Sequence, residues 1–311
     1  MRIGLTVLAL AAIASGCTQD AGERITPAGG QQPLDAPAAQ ALDSYASRLR
    51  AAYAVRVAAA RRWGLKKVPL SAPPAPAKKP RIKTRKGFEV TGHRRLNLPP
   101  VFTTIPTRDK VVFLTIDDGV EKDPEFLRMM DDLKIPYSAF LSGLLVKDDY
   151  RYFKKMQNRG VALNNHTVRH RYLPGLTYRG QRREICSMQR YLELRYGSRP
   201  TLFRPPYGNY DRATLRAAKS CGIEYVPLWA EEVFVDHWEY REGDGKLRPG
   251  DIVLTHFRGR QQWKGTMPDM IRRFLNRVTA DGYAVGRLED YLGDPQGPPP
   301  GGSPGRRAVG N

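Results

Sequence analysis

The sequence predicts an α/β fold in which parallel strands close into a distorted (β/α) barrel. Between residues 96 and 292, short apolar strand-like segments alternate with helical ones, an order typical of parallel sheets. The segment at 111–116 is almost continuously apolar, as expected of a strand buried on both faces, and two carboxylates follow it. Polar side chains also follow several later strands, and the loops after the strands of such a barrel meet at one mouth.

The predicted strands and helices alternate along the chain. The strand at 111–116 precedes a helix at 123–133, with Asp123 as its N-cap and Pro124 at its first position. The other predicted helices are at 150–158, 180–196, 211–220 and 267–280. The other predicted strands are at 137–141, 161–163, 201–203, 224–228, 251–255 and 283–285.

The N-terminus has the layout of an export signal. Arg2 precedes an apolar run at residues 3–14, which is short for a membrane span, and small residues then lead to Cys17. The order A-S-G-C at 14–17 is similar to the lipobox of bacterial lipoproteins, in which the cysteine is lipidated. We expect residues 1–17 to be a lipoprotein-type signal peptide and the mature protein to face outward from the cell membrane. The alternatives are a plain signal peptide, which would release a secreted protein, and an uncleaved membrane anchor.

The chain is strongly basic. Its 311 residues carry a formal net charge of +20, which attracts polyanions such as nucleic acid, anionic lipid or an acidic wall polymer. Because export is expected, the predicted partners are the membrane surface or wall polymers, with no role for nucleic acid. The sequence does not indicate an oligomeric state.

Residues 18–95 are predicted to be a helical stalk followed by a basic, Pro-rich linker. The stalk helix, at about 33–64, either lies along an anionic membrane surface or is simply solvated. The linker around 68–86 is rich in Pro, Lys and Arg, which favours an extended chain rather than a core. The barrel domain then spans residues 96–293, and residues 294–311 form a disordered Gly/Pro-rich tail.

Two cysteines remain after Cys17. Cys186 and Cys221 fall in predicted neighbouring helices on the outside of the barrel. In an exported protein they either form a disulfide or stay as two separate buried thiols, and the sequence favours neither.

Two of the five histidines, His166 and His170, have the i, i+4 spacing of one helical turn. On a helix, both imidazoles would project from one face and could bind one metal ion. Such a site needs a third protein ligand, for which Asp118 is the candidate. Asp118, together with Asp117, also fits a structural role as a helix-capping pair. His93 and His237 match no such pattern and are expected to be structural or surface residues.

Residues 110–292 resemble the NodB-homology polysaccharide deacetylases, carbohydrate esterase family 4. Four motifs appear in the family's order at the ends of predicted strands. The family's T-F-D-D-G is T-I-D-D-G at 115–119, and its H-[ST]-x-x-H is H-T-V-R-H at 166–170. Its R-x-P-Y-G is matched in full at 204–208, and its L-x-H at 254–256. Each motif alone is weak, whereas four in order are specific.

The resemblance implies a role for each matched residue. Asp118, His166 and His170 would bind a divalent metal ion, usually Zn²⁺ in this family. The implied catalytic residues are the general base Asp117, its partner Arg204, the oxyanion-binding backbone N–H of Tyr207, and the general acid His256. Amide hydrolysis independently requires this set, because a poor electrophile must be polarised and a poor leaving group must be protonated.

The sequence departs from the family pattern at two places. Arg171 stands where Pro commonly follows the second motif, which puts a bulky cation beside the metal site. A further family motif, usually an Asp-bearing stretch near Trp that precedes L-x-H, is degenerate here, and Glu232 is the candidate for the carboxylate that supports His256. Trp229 and Trp238 either line the substrate pocket or pack in the core.

The resemblance and the expected export together predict a metal-dependent deacetylase of a cell-envelope polysaccharide, with peptidoglycan or a chitin-like glycan as the expected substrate. One alternative is a non-catalytic, glycan-binding wall lipoprotein on the same barrel. Another is a deacylase that acts on a non-sugar amide.

Overall fold

The computed structural model describes residues 36–293. The chain divides into two compact units, residues 1–50 and residues 51–311. The described part of the first unit, residues 36–50, is helical, and its side chains from residue 40 onward are almost all exposed. Within residues 36–293, no helix is long and apolar enough to cross a membrane. The predicted signal peptide with Cys17 and the tail at 294–311 lie outside the described residues.

The regular elements match most of the predicted ones within a few residues. The helices are α1 (Ala36–Arg62), α2 (Pro124–Leu133), α3 (Gly143–Val146), α4 (Tyr150–Asn158), α5 (Tyr178–Tyr196), α6 (Arg212–Ser220) and α7 (Met267–Ala280). The strands are β1 (Val101–Phe102), β2 (Val111–Asp118), β3 (Ser138–Leu141), β4 (Ala162–Asn165), β5 (Val226–Pro227), β6 (Glu231–Val233), β7 (Trp238–Tyr240), β8 (Ile252–His256) and β9 (Ala284–Gly286).

The strands form a mostly parallel sheet that bends into a barrel. The main sheet has the order β4-β3-β2-β8-β6-β7, and β9 pairs with the first half of β2. β1 pairs with β5, and isolated bridges join the end of β4 to Phe203, Leu202 to Tyr225, and Thr104 to Asp251. These bridges connect the two sheets, which confirms the predicted distorted (β/α) barrel.

Two parts of the sheet differ from the prediction. β6 and β7 form an antiparallel hairpin that the strand–helix alternation did not indicate. Residues 201–203, predicted as a strand, make only isolated bridges. Prolines flank this segment at positions 200, 205 and 206, and proline has no N–H to donate to a neighbouring strand.

Helix caps and buried strands fix the ends of the elements that carry the site. β2 is buried at all eight positions, as its apolar sequence predicts. The side chain of Asp123 accepts a hydrogen bond from the Glu125 N–H at 2.8 Å, so α2 begins where its sequence signals place it. α6 and α7 each begin with a capping box, formed by Asp211 with Thr214 and by Thr266 with Asp269.

The segment from residue 51 to residue 95 packs on the barrel, so the compact unit begins well before the predicted boundary at residue 96. Ala59 belongs to the main core, Leu70 forms a parallel bridge with Ala284, and the Tyr210 hydroxyl donates to the Phe88 carbonyl at 2.6 Å. Isolated apolar residues among the prolines and cations of this segment make these contacts, and the domain boundary at residue 96 stays a prediction.

The two helices outside the barrel are joined covalently. Cys186 in α5 and Cys221 at the C-terminal end of α6 form a disulfide. The two cysteines are therefore joined in a disulfide and are not separate buried thiols.

Candidate active site

The predicted site residues come together at the carboxyl ends of the strands. Asp117 and Asp118 end β2, and Asp117 is in register with His256, the last residue of β8. His166 directly follows β4, and Arg204 directly follows the bridge residue Phe203. The barrel therefore brings five side chains from four separate segments of the chain to one edge of the sheet.

Three of these side chains form a candidate metal centre. Asp118 Oδ1 lies 3.1 Å from His170 Nε2 and 3.7 Å from His166 Nε2, and the two Nε2 atoms lie 3.1 Å apart. Within residues 36–293, this is the one group of three or more acidic, His or Cys residues whose ligand atoms converge closely enough to hold a metal ion. The structure thus brings together the three predicted ligands.

The two histidines do not lie on a helix, so the premise of the spacing argument was wrong. Residues 166–170 form an irregular loop, in which Thr167 and His170 have positive φ angles of 69° and 51°. Side chains replace the missing helical hydrogen bonds: Asn165 Oδ1 accepts from the Thr167 N–H, and Thr167 Oγ1 accepts from the His170 N–H. The His166 Nδ1 atom lies 2.7 Å from the Arg204 carbonyl, which orients the ring.

Backbone strain is concentrated at this site. Six described non-glycine residues have positive φ, and four of them, Asp118, Thr167, His170 and Tyr207, belong to or adjoin the candidate metal centre. Each such conformation costs about 1–3 kcal/mol and persists only where the surrounding structure enforces it. These strained conformations lower the stability of the fold, but they orient the side chains of the site.

The chemistry of the three residues fits a divalent metal ion. Asp118 Oδ1 is buried and has no hydrogen-bond partner in the described part of the chain. Burial raises the pKa of Asp118, but the nearby imidazoles of His170, His166 and His256 outweigh it and lower the pKa overall, so the group is ionised. Burial lowers the pKa of His166, despite the opposing charges of Asp117 and Asp118, so its ring is neutral at pH 7. An ionised carboxylate and neutral imidazoles are the forms that bind metal.

Asp117 is held on the other side of this centre by a fully buried arginine. Arg204 Nη1 donates to Asp117 Oδ1 at 2.7 Å and to Thr115 Oγ1 at 2.9 Å. Its Nε donates to the Pro227 carbonyl at 2.9 Å, and its guanidinium lies 4.4 Å from the centre of the Phe140 ring. These contacts leave both the guanidinium and the carboxylate little freedom.

His256 is paired with the carboxylate that the sequence suggested. Its Nδ1 lies 3.2 Å from Glu232 Oε1. Burial lowers the pKa of His256, but the Glu232 hydrogen bond and the carboxylates of Asp117 and Asp118 outweigh it and raise the pKa overall. The pairing holds Nδ1 and leaves Nε2 as the ring nitrogen available to a substrate.

Tyr207 borders the site. It has φ 61°, and its side chain is largely exposed, with the ring centre 4.8 Å from that of His170. The next residue, Gly208, also has positive φ, and a Cβ there would lie 2.9 Å from the Trp229 ring. Trp229 thus packs under this turn, and binding of an oxyanion by the Tyr207 N–H stays a prediction.

Sequence reasoning missed one residue of the site. Arg258, two positions after His256, places Nη2 3.1 Å from Asp118 Oδ2. Its position two residues after the L-x-H motif was the available signal, but an arginine in a loop has no pattern of its own. His93 and His237 lie elsewhere, as expected: His93 contacts Thr84 and His237 pairs with Asp236 on the surface.

Comparison with known proteins agrees with these motifs. A family model described as polysaccharide deacetylase matches residues 104–226. The chain is 40% identical over 200 residues to an uncharacterised protein of Streptomyces coelicolor, covering 64% of this chain and 80% of that one. It is 26% identical over 217 residues to a peptidoglycan-N-acetylglucosamine deacetylase of Bacillus cereus, covering 67% of this chain and 97% of that one.

Solved structures share the fold. The peptidoglycan N-acetylglucosamine deacetylase Bc1960 gives a TM-score of 0.54 at 23% identity, over 63% of this chain and 94% of that one. BA3943 of Bacillus anthracis, a pseudoenzyme of carbohydrate esterase family 4, gives 0.53 at 20% identity, over 62% of this chain and 69% of that one. The relatives, the family model and the shared barrel lead to one conclusion: the chain belongs to the polysaccharide deacetylase family, hydrolases that act on carbon–nitrogen bonds other than peptide bonds.

Proposed function

We propose that the protein is a metal-dependent deacetylase that removes acetyl groups from amino sugars of a cell-envelope glycan. The observation that carries the proposal is the convergence of Asp118, His166 and His170 on one point, at the edge of the sheet that also carries the Asp117–Arg204 and His256–Glu232 pairs. This is a complete set of groups for metal-assisted amide hydrolysis.

Each pair has a distinct role in the proposed reaction. A divalent metal ion, with Zn²⁺ expected from the His₂Asp ligand set, would polarise the acetyl carbonyl and acidify a water molecule. Asp117 accepts the proton of the attacking water, and the Arg204 hydrogen bond fixes the direction of that carboxylate. His256 donates a proton to the departing amine nitrogen, while Glu232 orients its ring.

The choice of substrate rests on the relatives and on the expected export. Two Bacillus proteins similar to this chain are named as deacetylases of peptidoglycan, one for N-acetylglucosamine and one for N-acetylmuramic acid. A lipoprotein facing outward would have peptidoglycan within reach. The basic residues of the N-terminal region would add attraction to anionic wall polymers or to the membrane surface.

A glycan-binding protein without activity is the second candidate, because a pseudoenzyme shares this fold. The presence of all the matched base, ligand and acid side chains favours the enzyme. The test is release of acetate from N-acetylglucosamine oligomers and from purified peptidoglycan by Zn²⁺-loaded, metal-stripped and Asp117→Asn protein. Release that requires metal and is lost in Asp117→Asn supports the proposal. Tight Zn²⁺ binding without release from either glycan would favour the binding protein or a different amide substrate.

A further inference from the structure

We propose that Arg258 is a positioning residue for the metal centre: it holds one oxygen of Asp118 and thereby presents the other to the two histidines. The inference rests on the proposed metal-dependent function. Arg258 lies outside the four matched motifs, and no role in the site follows from the family resemblance for it.

The two oxygens of Asp118 have different surroundings. Oδ2 lies 3.1 Å from Arg258 Nη2, at hydrogen-bonding distance. Oδ1 faces the Nε2 atoms of His170 and His166 and has no hydrogen bond to a described residue. Because the guanidinium holds Oδ2, only Oδ1 is left to bind a cation. The same contact prevents the carboxylate from rotating to present both oxygens to the ion.

The fold gives Asp118 a particular need for such support. Its φ of 80° takes it out of regular strand geometry at the end of β2, so the alternation of the strand does not aim its side chain. Arg258 is brought to it by the adjacent strand. The Phe257 N–H donates to the Asp117 carbonyl at 3.0 Å, and Phe257 itself is fully buried, which anchors the residue before Arg258 beside the carboxylate pair.

Charge alone would give Arg258 the opposite effect on metal binding. A guanidinium 3.1 Å from a ligand carboxylate repels a divalent cation, so removing it would strengthen binding if position did not matter. Residues that orient a metal ligand typically contribute 10- to 100-fold in affinity. The sign of the change therefore separates positioning from simple electrostatics.

The test is the Zn²⁺ affinity of Arg258→Ala, measured by competition with a chromogenic chelator, beside Arg260→Ala. Arg260 lies in the same loop and is exposed. Its side chain makes no ion pair or hydrogen bond with the described residues. Arg260→Ala therefore loses the same charge as Arg258→Ala without losing a contact to Asp118. Thermal unfolding of the metal-free proteins verifies that both variants fold. We expect Arg258→Ala to bind Zn²⁺ about 10- to 100-fold more weakly than Arg260→Ala, and Arg258→Lys to recover part of the loss.

Equal or tighter binding by Arg258→Ala than by Arg260→Ala would overturn the proposal. Failure of the parent protein to bind Zn²⁺ would instead refute the metal-dependent function itself. The two failures are thus distinguishable in one experiment.

Discussion

Asp117 and Asp118 are neighbours in sequence, each paired with an arginine, yet the two pairs are built differently. Arg204 is fully buried and makes hydrogen bonds to two side chains and two backbone carbonyls besides packing on Phe140. Arg258 has 39% of its side chain exposed and a single ion pair. Both carboxylates are buried, but the arginine of Asp117 is enclosed by the core, whereas that of Asp118 is partly open to solvent.

The difference follows from what each carboxylate is proposed to do. A general base must be ionised before it accepts a proton, and a fixed cation beside it favours the ionised form. A metal ligand must exchange its neighbours when the ion binds, which favours a partner that is partly solvated. The same type of contact thus serves two purposes, and the surroundings of the arginine distinguish them.

The largest expected effect is on the free energy of unfolding, which should respond differently to the loss of Arg204 and of Arg258. Arg204→Met leaves Asp117 buried without its cation, so we expect the free energy of unfolding to fall by about 3–5 kcal/mol. Arg258→Met removes a partly exposed arginine while the imidazoles beside Asp118 remain, so it should cost less, about 1 kcal/mol. Urea denaturation of both variants at pH 7 measures the two values. Similar losses would mean that burial does not separate the two pairs.

The double variant Asp117→Asn/Arg204→Met separates the effect of the unpaired Asp117 charge from the effect of lost packing. If the loss in Arg204→Met comes from the uncompensated charge of Asp117, the double variant should be less destabilised than the sum of the two single variants. Strict additivity would indicate that Arg204 stabilises the fold through packing alone.

The next effect concerns the metal side of the site. Zn²⁺ at about 100 times its dissociation constant should raise the free energy of unfolding by about 2.7 kcal/mol, because the unfolded chain has no formed site. His170→Ala should abolish this gain. His237→Ala is the matched control, since His237 is exposed and lies outside the candidate metal centre. Metal stabilisation that survives in His170→Ala would place the ion elsewhere.

The sequence could predict the identity of these residues better than their contacts. Asp117, His166, Arg204 and His256 follow segments that local patterns identify as strands, and a barrel brings strand ends together. The loop at 166–170 has the spacing of a helical turn but not its backbone, because spacing alone does not reveal two positive φ angles.

Contacts between distant segments were harder to predict. The pairing of Glu232 with His256 depends on the register of β6 against β8, in which Glu232 is opposite Leu254. Such a register is set by tertiary packing, so the sequence offered Glu232 only as a candidate. Arg258 escaped notice for the same reason, because its partner Asp118 is 140 residues away.

A third buried carboxyl, that of Glu231, lies beside another carboxyl, that of Asp251. Glu231 has no ion pair within the described chain, and burial, reinforced by the charge of Asp251, raises its pKa. The folded protein therefore keeps Glu231 protonated at pH values where the unfolded chain ionises, so stability is lost as pH rises above the unfolded pKa of about 4.3. We expect Glu231→Gln to be more stable than the parent by more than about 1 kcal/mol at pH 8, with the gain vanishing near pH 4.

Urea denaturation across this pH range is the measurement, with Glu193→Gln on the exposed face of α5 as control. The control should show no such dependence on pH. A gain for Glu231→Gln that stays constant from pH 4 to pH 8 would mean that burial and Asp251 do not raise the pKa of Glu231 in the folded protein.

The smallest expected effect is a change in pH dependence at His256. The proposed general acid acts while protonated, so activity should fall as pH rises through its pKa, which Glu232 raises. In Glu232→Gln the pKa falls, and the descending limb of kcat against pH should move to lower pH while the ascending limb stays in place. Glu239→Gln is the matched control, because Glu239 is opposite Glu232 in the β6–β7 hairpin yet exposed. A loss of kcat at every pH, without movement of the descending limb, would show that Glu232 orients the His256 ring but does not raise its pKa. Glu232 would then be a positioning residue, as Arg258 is proposed to be for Asp118.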